Sequence, residues 1–157
     1  MFNKVKPYIY SVITALAVGG LSALVTMGNM DIYESINRPY LSPPPVVFPI
    51  VWSILFVLMG ISSALVYTKQ SKDQHAASTA LKIYALQLIF NFVWSILFFN
   101  LQAYLVSFIW LMALWALILA MIIQFYKISK AAALLQIPYL AWVTFAGYLN
   151  IMIYILN

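Results

Sequence analysis

Five apolar runs dominate this chain: Pro7–Met27, Val46–Thr68, Ser78–Phe99, Tyr104–Tyr126 and Ala131–Leu156. Each holds about 20 or more residues, enough for a helix to cross a hydrocarbon core of about 30 Å. No period-2 alternation runs through them, which argues against an outer-membrane barrel. With 66% of residues hydrophobic and only 7% charged, the chain also lacks the roughly one-quarter charged content of a soluble domain. The expected fold is all-α and integral to a membrane, a five-transmembrane-helix bundle. One domain is expected over residues 1–157, with helices at about 7–27, 46–68, 78–99, 104–126 and 131–156 and a long loop at 28–45.

Lys4 and Lys6 followed by an apolar run imitate a signal peptide. The run continues unbroken through Val18–Met27, longer than a normal signal core, so the first segment is expected to stay as a helix. Charge gives the expected orientation. Lys4 and Lys6 precede segment 1; Lys69, Lys72 and Lys82 flank the gap between segments 2 and 3; Lys127 and Lys130 lie between segments 4 and 5. Only Arg38, beside Asp31 and Glu34, falls on the other side. The positive-inside rule then puts the amino terminus in the cytoplasm, and loop 28–45 and the carboxyl terminus outside. A bacterial cytoplasmic membrane is the expected location. The net charge of +5 follows from this topology and from anionic lipid headgroups, and it does not point to nucleic acid. The chain has no cysteine, which excludes disulfides and thiolate metal sites.

Loop 28–45 stands apart from the short gaps elsewhere. Loops beyond about 12–15 residues in a compact protein are usually functional or disordered. This one carries Tyr33, Tyr40 and four prolines, and a short helical turn at Asp31–Asn37 with Asp31 as its expected cap. Proline lowers the entropy of the open chain, so the loop is expected to be ordered and to cover a pocket. Pro49 costs no hydrogen bond if the second helix begins near Val46, because the first four N–H groups of a helix have no internal partner. Pro138 lies well inside the fifth segment and is expected to kink it. In segment 1, Ala15, Gly19 and Ala23 form a small-residue stripe suited to close helix packing. The hexapeptide Val51–Phe56 recurs as Val93–Phe98, which suggests two similar pocket walls.

No ionisable side chain is placed at mid-membrane, where proton-coupled pumps and ion carriers keep theirs. There is no carboxylate pair, no nucleophile–base set and no metal-ligand cluster; His75 is the one histidine. The positive signal is polar and aromatic residues at helical spacing. Gln87, Asn91, Trp94, Ser95 and Phe98 share one face of segment 3; Trp52, Phe56, Met59 and Ser63 do so in segment 2; Tyr139, Trp142, Ala146 and Asn150 in segment 5. An unpartnered amide in hydrocarbon costs several kcal/mol, so Asn91 and Asn150 are expected to face the interior. At 1.5 Å per residue, Trp52 is roughly 9 Å below the outer end of its helix, and Asn91 and Trp94 about 12 and 8 Å below theirs. Trp142 falls near mid-membrane, so all three stripes reach the outer half of the bilayer, beneath loop 28–45. An aromatic cleft with a few amides and hydroxyls suits a flat, apolar ligand with few polar groups. Asn91 fits interhelical glue and ligand contact equally, whereas Tyr8, Tyr10, Tyr104 and Trp110 fit interfacial anchors.

Three ordered motifs carry a family resemblance: Arg38-Pro39-x-x-Ser42-Pro43-Pro44 leading to Phe48-x-x-Val51-Trp52; Gln87-x-x-x-Asn91-x-x-Trp94-x-x-x-Phe98-Phe99; and Ile137-Pro138-Tyr139-x-x-Trp142-x-x-Phe145-Ala146-x-x-Leu149-Asn150. Over nearly its whole length the chain resembles the translocator protein / tryptophan-rich sensory protein (TspO/MBR) family. The resemblance implies a five-helix bundle, often a homodimer, that binds porphyrins such as protoporphyrin IX and requires no cofactor or metal. It maps the ligand-binding positions onto Tyr33, Pro43, Trp52, Phe56, Asn91, Trp94, Ser95, Trp142, Ala146 and Asn150. It also links Trp52 and Trp142 to light-dependent porphyrin breakdown, which needs no acid or base because the pigment is its own sensitiser.

Two positions depart from the family pattern. Leu41 stands where the family carries Trp, leaving the lid one aromatic short. No basic residue follows Tyr148 or Tyr154, so the animal sterol motif is incomplete. The leading reading is a membrane tetrapyrrole-binding sensor or stress regulator, with membrane lipid and porphyrin as its partners. A photo-oxidative porphyrin-degrading enzyme and a porphyrin transporter are the alternatives.

Overall fold

A computed structural model describes residues 1–157, and it contains helices and turns but no strand. Five helical stretches are long and apolar enough to cross a membrane: Phe2–Asn29, Val47–Thr68, Gln74–Asn100, Tyr104–Ile128 and Lys130–Leu156. In element terms these are α1 (Phe2–Thr26, then a 3-10 turn at Met27–Asn29), α3 (Val47–Thr68), α4 (Gln74–Ser95, then a π turn at Ile96–Asn100), α5 (Tyr104–Ile128), α6 (Lys130–Leu135) and α7 (Ile137–Leu156). A one-turn helix, α2 (Ile32–Ser35), lies in the long loop.

Helix ends depart from the expected ones for local reasons. α1 starts at Phe2 rather than Pro7, with Pro7 inside it and the Lys6 ammonium 5.3 Å from the centre of the Phe2 ring. α4 starts at Gln74, four residues before the apolar run, because Asp73 caps it by accepting from the Ala76 N–H at 2.9 Å. Asp31 makes no side-chain cap on α2, contrary to expectation. Pro138 does more than kink the fifth span: the helix stops at Gln136 and restarts as α7 with Pro138 in its first turn. There the missing N–H of proline costs nothing. Ser129 caps α6 through the Ala132 N–H at 3.4 Å, and Lys69 donates to the same hydroxyl at 3.3 Å.

α1 packs chiefly on α3, α4 on α5, and α5 on α6 and α7. The fully buried side chains Leu111, Leu114, Ile118, Met121 and Phe125 mark the inner face of α5. α1 and α3 approach tightly at Gly60, outside the stripe expected on α1. A Cβ placed on Gly60 of α3 would lie 2.5 Å from the Cα of Val12. Of the stripe, Ala15 is buried at the contact, whereas Gly19 faces the Phe56 ring and Ala23 lines open space. The alternating direction of the helices gathers Lys4, Lys6, Lys69, Lys72, Lys127 and Lys130 at one end of the bundle and the long loop at the other.

Candidate functional site

At the loop end, α1, α3, α4 and α7 stand apart around a cavity of about 500 Å³. Its lining contains no Asp, Glu, Lys, Arg or His. The repeated hexapeptide supplies two walls. Trp52 and Phe56 on α3 have ring centres 5.8 Å apart, and Trp94 on α4 and Phe98 in the π turn that follows it have theirs 5.4 Å apart. The roof consists of Met30, Tyr33, Pro45 and Phe48, with the Tyr33 and Phe48 rings edge to face at 5.0 Å. α7 contributes Ala146, Leu149, Asn150 and Ile153.

The polar groups fall into two sets. One holds the helices together. Asn91 Nδ2 donates to the Tyr139 hydroxyl at 2.8 Å, and that hydroxyl donates to Gln87 Oε1 at 2.6 Å. Asn150 Oδ1 accepts from Trp94 Nε1 at 3.0 Å and from Ser107 Oγ at 3.1 Å, while its Nδ2 donates to the Tyr104 carbonyl at 2.8 Å. Three helices are thereby joined through buried amides, each with at least one protein partner. The second set lines the cavity without a protein partner: Trp52 Nε1, Asn91 Oδ1 and Ser95 Oγ. Asn91 is therefore glue through its nitrogen, while its oxygen has no protein partner.

Of the ten positions expected to line the site, Tyr33, Trp52, Phe56, Asn91, Trp94, Ser95, Ala146 and Asn150 surround the cavity. Pro43 does not; it accepts the Tyr33 hydroxyl on its carbonyl at 3.1 Å and so braces the roof from behind. Trp142 is one ring removed, packed against Phe48 at 5.9 Å and Phe145 at 5.5 Å, with its buried Nε1 unpartnered. Leu41 is exposed and outside the lining, so the missing family aromatic leaves no gap in the roof that Tyr33 and Phe48 make. Sequence reasoning missed the α1 wall, Leu16, Gly19, Gly20, Ser22, Ala23 and Thr26, as well as Phe48 and Phe99. Leu16, Gly20 and Ala23 on α1, and Pro49 and Ser53 on α3, line the cavity while remaining exposed. They frame a side window between the two helices on the apolar flank of the bundle. No cluster of His, Cys, Asp or Glu could hold a metal ion.

A five-span helical bundle with an uncharged, aromatic-lined cavity at its loop end defines a class of integral membrane protein. The sequence pattern of the TspO/MBR family matches residues 11–156, and the chain belongs to that family. It is 38% identical over 125 residues to the tryptophan-rich protein TspO of Chlorobaculum tepidum, covering 80% of this chain and 78% of that one. Protein CrtK of Rhodobacter capsulatus is 33% identical over 149 residues, 95% of this chain and 91% of that one. The translocator protein of Bos taurus is 32% identical over 133 residues, 84% and 79% respectively.

Proposed function

We propose that this chain is a membrane tetrapyrrole-binding protein that acts as a sensor or stress regulator, with protoporphyrin IX or a related porphyrin as its ligand. One observation carries the reading: an uncharged cavity of about 500 Å³ between two Trp–Phe walls, with Trp52 Nε1, Asn91 Oδ1 and Ser95 Oγ free of protein partners. A flat aromatic macrocycle matches such walls, since rings stack or meet edge to face at centroid separations of about 4.5–7 Å. The size is within the usual range of about 300–1,000 Å³ for ligand pockets. The lysine-rich end faces the cytoplasm by the positive-inside rule, which puts the roof and cavity on the opposite side.

The test is a titration of purified protein with protoporphyrin IX, read by quenching of Trp fluorescence. Saturable binding weakened by Trp52→Phe and by Asn91→Ala is the expected result. Saturable binding that neither substitution alters removes the cavity as the site.

A further inference from the structure

The cavity has no charged lining, which raises a problem for any ligand that carries an acid. An ionised carboxylate left unpaired in an apolar environment is too costly to bury. It has to emerge at a polar rim. Just behind the roof is an open cleft lined by Ile36, Asn37, Arg38, Ser42 and Pro43–Pro45. Pro45 belongs to both linings, so this cleft and the cavity share a wall.

Two features fit the cleft to an anion. Arg38 is the one basic side chain at this end of the bundle. Its guanidinium rests over the Tyr33 ring, 5.0 Å from the centroid, and no carboxylate of the protein is within ion-pair distance of it. Asp31 and Glu34, the nearest acids in sequence, do not line the cleft. Independently, Ser42 Oγ is buried at the cleft and has no hydrogen-bond partner. Buried hydroxyls normally have one. A guanidinium fork and an unused hydroxyl together suit a carboxylate.

We propose that this cleft is the acid-binding end of the ligand site: Arg38 and Ser42 hold the carboxylate of an amphiphile whose flat apolar body occupies the cavity. The inference rests on the porphyrin reading above and adds what selects among apolar aromatics, a carboxylate placed beyond the roof. Tyr33 joins the two halves, since one face of its ring carries Arg38 while the residue also lines the cavity.

The test compares protoporphyrin IX with its uncharged dimethyl ester, in wild-type protein and in Arg38→Gln and Arg38→Lys, in nanodiscs of zwitterionic lipid. Arg38→Gln should weaken the diacid about three- to tenfold, the range for a charge-assisted contact at a partly exposed site. The ester should bind wild type and Arg38→Gln alike. Arg38→Lys should fall between, because it keeps the charge and loses the fork. Added salt should weaken the diacid in wild type more than in Arg38→Gln. Equal weakening of both pigments by Arg38→Gln overturns the proposal, because it reports a disturbed Tyr33 roof. No change with either pigment overturns it as well and leaves the cavity reading intact. Wild-type protein that binds neither pigment removes the cavity reading and this one together.

Discussion

Trp52 and Trp94 are the second residues of two copies of the same hexapeptide and line one cavity from two helices, yet only Trp94 spends its indole N–H within the protein, on Asn150 Oδ1 at 3.0 Å. The same residue in the same local sequence therefore does two jobs, structural on α4 and open to a ligand on α3. Replacing Trp94 by Phe removes a buried hydrogen bond, with an expected loss of about 1 kcal/mol in stability. Trp52→Phe removes no protein hydrogen bond and should leave the unfolding temperature in detergent nearly unchanged while weakening porphyrin. Equal loss of stability in both variants would contradict this division.

The Asn91–Tyr139–Gln87 chain makes a sharper case. Tyr139 is fully buried and its hydroxyl serves both amides. Tyr139→Phe leaves two polar atoms without their partner, at a cost of about 1–3 kcal/mol. It also frees Asn91 Nδ2 to turn toward the cavity. Thermal unfolding should drop clearly, and porphyrin affinity should change through the altered amide. An unchanged melting profile would show that the chain contributes nothing to the bundle.

How much of this was legible depends on what a residue looks like against its background. Asn91, Trp94 and Asn150 stood out because an amide or indole within an apolar helix has few cheap places to go. The α1 wall did not stand out. Leu16, Gly20 and Ala23 face a cavity, and small apolar residues facing a cavity or lipid are indistinguishable in sequence. Trp142 falls in the same run as Tyr139, Ala146 and Asn150, but at about 100° per residue it sits about 60° off their shared line. That rotation turns it toward Phe48 and out of the lining. Pro43 was unreadable by periodicity because a loop has none, and only the fold shows its carbonyl bracing Tyr33.

Glycines divide in the same way between contact and space. A Cβ on Gly60 would lie 2.5 Å from the Val12 Cα and 2.8 Å from its nitrogen, which are backbone atoms that cannot swing aside. Gly60→Ala should force α1 and α3 apart and cost about 1–3 kcal/mol, as overpacking does. Nothing lies within 4 Å of a Cβ on Gly20, at the side window. Gly20→Ala should be neutral in stability. Gly20→Phe should slow porphyrin association from the lipid phase if the window is the way in, while an unchanged rate would direct attention to the roof. Stopped-flow quenching in nanodiscs separates the two.

Photochemistry should follow the same geometry. A porphyrin in the cavity would meet Trp52 directly, whereas Phe48 stands between the cavity and Trp142. Under illumination in air, oxidation products should accumulate on Trp52 before Trp142, as read by peptide mass spectrometry. Faster modification of Trp142 would place the pigment somewhere other than this cavity.

The loop is tied down at a point far from the cavity in sequence. Asn157 Oδ1 accepts from the Asn37 backbone N–H at 2.9 Å, and Asn157 Nδ2 returns a bond to the Asn37 carbonyl at 2.9 Å. Asn37 Nδ2 adds a third link, to the Leu156 carbonyl at 3.3 Å. These pin the segment just before Arg38 to the end of α7. Exposed hydrogen bonds contribute only about 0.5–1.5 kcal/mol each, so Asn157→Ala should barely lower the global melting temperature. Its effect should be local, because loops open with free energies far below that of the whole fold. Amide exchange across residues 36–45 should accelerate, and porphyrin should dissociate faster as the roof carrying Tyr33 loosens. Faster exchange spread evenly over α3 and α7 would instead mean that the pair supports the bundle rather than the roof.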